Sequence, residues 1–240
     1  MRIVLVHGSW HTGEHWSPVA DHLRAAGHEV HTPTVAGHGA GVDKRVNHAQ
    51  CTQSIVDHIT EHNLQDFALL GHSYGGTIIS KVVEQVPDRV RRLVYWNAFV
   101  PADGQSLNDN VPPHYSELFD GIAAASSDDT VMLPFPIWRE AFINDADLHT
   151  AERTYKSLFS EPYQPFRDKL DLKKFYALQT PRSYINCTED TALPPGEWGW
   201  HPRMSSRLGL FRLVQIKGSH EVMFTAPDRL AAAIVEAARD

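Results

Sequence analysis

The stretch Gly71-His72-Ser73-Tyr74-Gly75 constrains this chain more than any other. It reads G-x-S-x-G, and its flanks are those that the pattern requires. Asp66 to Leu70 is short and apolar, as a buried strand is. Gly76 to Val86 places Ile78, Val82, Val83 and Val86 on one helical face. Strand, sharp turn and helix make a nucleophile elbow, which lifts a serine clear of the end of a sheet. Side chains at 71 and 75 would crowd neighbouring backbone, and glycine removes them.

Around this unit the chain alternates between strand and helix patterns. Strands are predicted over residues 2–6, 29–32, 66–70, 90–97, 182–187 and 211–216, and helices over about 15–26, 49–62, 76–86 and 227–238. A further helix is expected over Trp198–Leu208. Such alternation predicts an α/β fold: a six-stranded, mostly parallel sheet with helices on both faces. Residues 101–175 break the rhythm, with prolines at 112, 113, 134, 136, 162 and 165 and many aromatics. We assign 1–100 and 176–240 to the core and 101–175 to a helical cap inserted over the sheet.

Functional groups in such sheets gather beyond the carboxyl ends of strands. His7, Ser73, Asn97, Cys187 to Asp190 and Gly218 to His220 all lie there. A serine nucleophile needs a histidine base, and that base needs an acid, in the chain order serine, acid, histidine. His220 follows the last strand. Glu189 and Asp190 both follow the strand at 182–187, and position alone does not separate them. An oxyanion hole needs two convergent N–H donors. Tyr74, after the serine, supplies one, and the loop His7-Gly8-Ser9-Trp10 supplies the other through Ser9. His7 is expected to brace that loop.

Composition narrows the remaining classes. The net charge of −7 disfavours nucleic acid and anionic membrane as partners. Two widely spaced cysteines, Cys51 and Cys187, make neither a disulfide framework nor a thiolate zinc site. His7, His11 and His15, and likewise His58 and His62, recur every four residues, but no H-E-x-x-H accompanies them and no metal is expected. Gly37-His38-Gly39-Ala40-Gly41 lacks the spacing of a phosphate cradle. Met1 to Val6 runs straight into a strand, without a leader pattern. The expectation is a soluble cytoplasmic enzyme without a cofactor; a homodimer is left open.

The motifs together resemble the small α/β-hydrolases that include plant methyl esterases and hydroxynitrile lyases. His7-Gly8-Ser9-Trp10-His11-Thr12-Gly13, Gly37-His38-Gly39, Gly71 to Gly76, Ala98-Phe99-Val100-Pro101, and Cys187 to Asp190 with Leu193-Pro194 carry the likeness. It implies Ser73, Asp190 and His220 as a triad, with Glu189 in reserve, and Ser9 and Tyr74 as oxyanion donors. The chain departs from the pattern at Glu221. The lyases carry a lysine there to stabilise departing cyanide, and a carboxylate would repel it. The likeness therefore implies an esterase acting on a small apolar or aromatic molecule. Trp10, Trp96, Phe135, Trp138, Phe142 and Trp198 are the expected walls of its pocket, with core packing as their competing use. A related group of cofactor-free dioxygenases, which open 3-hydroxy-4-quinolone rings with the His–Asp pair, is the main rival. A non-catalytic ligand receptor is the third reading.

Overall fold

The computed structural model describes all 240 residues. The chain begins β1 (Arg2–Val6), α1 (Ser17–Ala25), β2 (Glu29–His31), α2 (His48–Glu61), β3 (Phe67–His72), α3 (Gly75–Gln85) and β4 (Val90–Trp96). An excursion follows: α4 (Pro113–Ala125), β5 (Thr130–Val131), α5 (Phe135–Ile137) running into a π turn at Trp138–Phe142, α6 (Leu148–Tyr155), β6 (Glu161–Pro162), α7 (Gln164–Arg167) and α8 (Lys173–Ala177). The alternation resumes with β7 (Arg182–Cys187), β8 (Arg212–Ile216), α9 (Val222–Thr225) and α10 (Pro227–Ala238). The six long strands form one sheet in the order β2-β1-β3-β4-β7-β8, and every pair is parallel. β5 and β6 make a separate antiparallel pair. This is an α/β-hydrolase fold. No helix is long and apolar enough to cross a membrane.

Local chemistry sets the element ends. Asn47 caps α2 by accepting from Gln50 N at 2.9 Å, and Asn47 N donates in return to Gln50 Oε1 at 2.9 Å. Pro227 opens α10, where a missing N–H costs nothing. The expected helix over Trp198–Leu208 reduces to one 3-10 turn at Ser205–Leu208. Gly199 and Pro202 both lie inside that stretch, and each opposes a continuous helix.

Strand parity sorts the core into two layers. Ile3, Leu5, Ala68, Leu70, Val94 and Trp96 face α1 and α10. Val4, Val6, Leu69, Leu93 and Tyr95 face α2, α3 and the excursion. The excursion has no core of its own: Phe119, Trp138, Tyr163 and Phe166 belong to the same buried cluster as Val4 and Leu69.

Candidate active site

Ser73 occupies the turn between β3 and α3 with φ +53°, a conformation that L-residues adopt only under constraint. The constraint is visible. Ser73 N donates to Trp96 O at 3.2 Å, and Ser73 O accepts from Gly76 N and Phe99 N, each at 3.1 Å. A Cβ at Gly71 would lie 2.4 Å from Gly75 O, one at Gly75 2.7 Å from His7 O, and one at Gly76 2.4 Å from Phe99 O. The turn closes only because these three positions are bare.

The structure sets Asp190, not Glu189, against His220. His220 Nδ1 donates to Asp190 Oδ2 at 2.6 Å, with both side chains buried. Ala192 N donates to Asp190 Oδ1 at 2.8 Å, and Asn97 Nδ2 donates to Oδ2. Asn97 is itself pinned, accepting from Cys187 N at 2.7 Å with φ +34°. Glu189 points to solvent, 3.4 Å from Lys217 Nζ. Trp200 stacks on the His220 ring at 5.1 Å, and Phe142 meets it edge-on at 5.3 Å. These two rings also wall the cavity into which Ser73 opens. Ser73 Oγ makes no hydrogen bond, so its bond to His220 is not formed here.

The Ser9 and Tyr74 N–H groups have no protein acceptor. Ser9 lines the same cavity as Ser73, and Tyr74 follows Ser73 in the chain. The Gly8–Ser9 peptide is oriented by His7, whose Nδ1 donates to Gly8 O at 2.8 Å while Nε2 accepts from Val35 N at 3.0 Å.

The cavity is almost wholly apolar: eleven of its thirteen lining residues are hydrophobic. Of the expected wall residues, Trp10 and Phe142 line it and four do not. Trp96 points to the opposite layer, stacked on His72 at 3.8 Å with its N–H on Cys187 Sγ. Trp138 lies behind Phe142, its N–H bound to Ala151 O at 3.2 Å. Phe135 packs on Tyr155, and Trp198 lies under the Arg203 guanidinium. Trp200, two residues on, takes the place expected of Trp198. Leu107, Val111, Tyr115 and Phe119 complete much of the wall. Their four-residue spacing is the signal in the sequence that could have found them.

Glu221 follows His220 in the chain. Its side chain is buried, and burial, then the nearby Asp190 and Asp145 charges, hold its carboxyl well above the usual range. His11 lies 3.4 Å away, and burial and then His15 keep it well below the normal histidine value. No cation stands at position 221 to stabilise a departing anion. His72, Glu221 and His220 also approach one another closely enough to suggest a metal cluster. However, His72 Nε2 is bound to His220 O and His220 Nδ1 to Asp190.

Residues 3–233 match the family model described as the alpha/beta hydrolase family. An extracellular α/β-hydrolase from a Paenibacillus species superposes with a TM-score of 0.98 at 48% identity, each chain covered over 100% of its length; it is described as sharing structural and functional homology with tobacco salicylic acid-binding protein 2. A carbendazim-hydrolysing esterase of Nocardioides is 39% identical over 152 residues, 60% of this chain and 63% of its own length. A pyrethroid hydrolase of Sphingobium wenxiniae is 27% identical over 98% of this chain and 86% of its own. By a match that spans nearly its whole length, the chain belongs to the alpha/beta hydrolase family.

Proposed function

We propose that this chain is a serine esterase that cleaves an ester, or a related acyl bond, of a small apolar or aromatic molecule. The observation that carries this reading is the buried His220–Asp190 hydrogen bond beside an apolar cavity that opens onto Ser73 at a strained elbow. In the proposed reaction His220 Nε2 takes the proton of Ser73 Oγ as the oxygen attacks the substrate carbonyl. The Ser9 and Tyr74 N–H groups receive the oxyanion. His220 then protonates the departing alkoxide, leaving an acyl group on Ser73. The same imidazole next deprotonates a water molecule, which releases the acid. Asp190, held by Asn97 and Ala192 N, fixes the tautomer that leaves Nε2 free to accept. Residues 101–175 act as the cap that keeps the cavity dry. Relatives named as esterases and hydrolases support the class, and the apolar wall supports the kind of substrate. Lysis of a cyanohydrin is disfavoured, because no cation stands beside His220 at position 221.

The test is a panel of aryl and methyl esters with bulky aromatic acids, assayed for acid and alcohol with an oxygen electrode in the same cell. The expected result is equimolar acid and alcohol with no oxygen uptake. Oxygen consumed in step with ring opening of a 3-hydroxy-4-quinolone, with every ester untouched, would replace the esterase by the dioxygenase.

A further inference from the structure

The loop that carries the Ser9 N–H is held from outside the sheet. Trp10 has φ +64°, a region that a bulky aromatic residue rarely enters unaided. Three of its atoms are tied to the excursion between β4 and β7. Trp10 N donates to Glu161 Oε2 at 2.7 Å, Trp10 O accepts from Phe159 N at 2.9 Å, and the indole N–H donates to Val131 O at 2.9 Å. The antiparallel pair β5–β6 is thus the clamp on this residue.

Glu161 is fully buried in that clamp. Its second partner is His38, whose Nε2 lies 3.0 Å from both carboxylate oxygens. His38 Nδ1 lies 3.2 Å from Val35 O and 3.0 Å from Ala36 O. Those carbonyls can only accept, so Nδ1 is a donor, and the proton between Nε2 and Glu161 makes the pair a buried donor–acceptor couple. A buried pair of this kind is a weak source of stability, and its best-attested use is to fix one geometry.

What it fixes here is the peptide next to the oxyanion donor. The Ser9–Trp10 peptide has its N–H on Glu161 and its C=O on His11 Nδ1 at 2.6 Å. The preceding Gly8–Ser9 peptide has its C=O on His7 and its N–H without a protein acceptor, and Ser9 lines the cavity. We propose that Glu161, paired with His38, is a positioning residue that holds the strained Ser9–Trp10 peptide and so aims the Ser9 N–H at the carbonyl under attack. This rests on the serine esterase reading above. Without the carboxylate the Trp10 N–H would be buried and unpaired, and the positive φ at Trp10 would lose the bond that sustains it.

The experiment compares Glu161→Ala, Glu161→Leu and Glu161→Gln in the full chain on one aryl ester. It measures kcat, KM, melting temperature, and affinity for an aryl boronic acid and for an unreactive ether analogue of the ester. The boronic acid forms a tetrahedral adduct on Ser73 and samples the oxyanion hole; the ether samples only the cavity. Glu161→Ala is expected to lower kcat on the order of 10²-fold, the loss typical of one misplaced oxyanion donor. Boronate affinity should fall in parallel, while KM and ether affinity stay within about threefold. Glu161→Gln keeps an oxygen for Trp10 N and should recover most of kcat. Should Glu161→Ala melt below the assay temperature, Glu161→Leu, which fills the same volume, carries the same expectation. Folded variants with parental kcat and boronate affinity would overturn the inference and leave the esterase standing. So would a comparable loss of kcat, boronate affinity and ether affinity together with a raised KM, which marks a merely structural residue. A parent that hydrolyses no ester and binds no boronate would remove both.

Discussion

Asp190 and Glu189 are neighbours with opposite fates. Asp190 accepts from His220, Asn97 and Ala192 in a buried niche, whereas Glu189 faces Lys217 in solvent. Asp190→Asn should lower kcat by about 10³–10⁴-fold, because an amide favours the wrong imidazole tautomer. Glu189→Gln should stay within about twofold, since an exposed ion pair contributes little. Steady-state kinetics on both variants checks this, and the reverse ranking would make Glu189 the acid. Glu221 gives a second prediction. Its carboxyl, ordinarily near 4.5, is raised by burial, so the unfolded chain releases this proton at a pH where the folded chain still holds it. The stability it contributes is complete below about 4.5 and is lost as pH rises toward the folded value. Glu221→Gln should therefore match the parent in melting temperature at low pH and exceed it increasingly toward neutrality. A gap that closes as pH rises would contradict the raised carboxyl. At this scale the sequence was legible where a residue type follows a strand end, as with Ser73 and His220. For Asn97 the position at a strand end was legible but not the role, which depends on a side chain reaching from the end of β4 to the turn after β7.

The elements were the most legible part of the chain. The predicted strand at 182–187 and helix at 227–238 coincide with β7 and α10, because apolar spacing and a proline at the first helical turn fix both. The helix expected over Trp198–Leu208 reduces to the turn at Ser205–Leu208, because Gly199 and Pro202 oppose a continuous helix. Two glycine substitutions test the account of the elbow. Gly71→Ala places a Cβ 2.4 Å from Gly75 O, inside backbone that cannot yield, and should destabilise the fold by about 2 kcal/mol or more. Gly121→Ala in the interior of α4 meets nothing within 4 Å and should stabilise by about 0.5–1 kcal/mol. Urea unfolding of both variants measures this; a tolerated Gly71→Ala would mean the turn is looser than drawn.

At the scale of the molecule, the sheet, its strand count and the place of the site could all be read from the alternation of strand and helix patterns. The cavity wall could not. Which aromatic reaches it depends on strand parity, as with Trp96, and on packing within the excursion, as with Trp138 behind Phe142. The whole fold also carries a pH signature. Burial holds His7, His11 and His72 well below the ordinary value of 6.5. The unfolded chain takes up these protons as pH falls through 6.5 while the folded chain refuses them, so stability present above 6.5 is lost on acidification. Three imidazoles outweigh the single opposing carboxyl of Glu221, and the melting temperature should fall between pH 7 and pH 5; a flat or rising profile would contradict this. The central claim, that Ser73 is the nucleophile, is tested most directly by labelling with an aryl fluorophosphonate, followed by intact mass and peptide mapping, in the parent and in Ser73→Ala. The account predicts one adduct per chain, on Ser73, with esterase activity lost in proportion to labelling, and neither adduct nor activity in Ser73→Ala. An unlabelled Ser73 in an active parent, or full turnover surviving in Ser73→Ala, would contradict it.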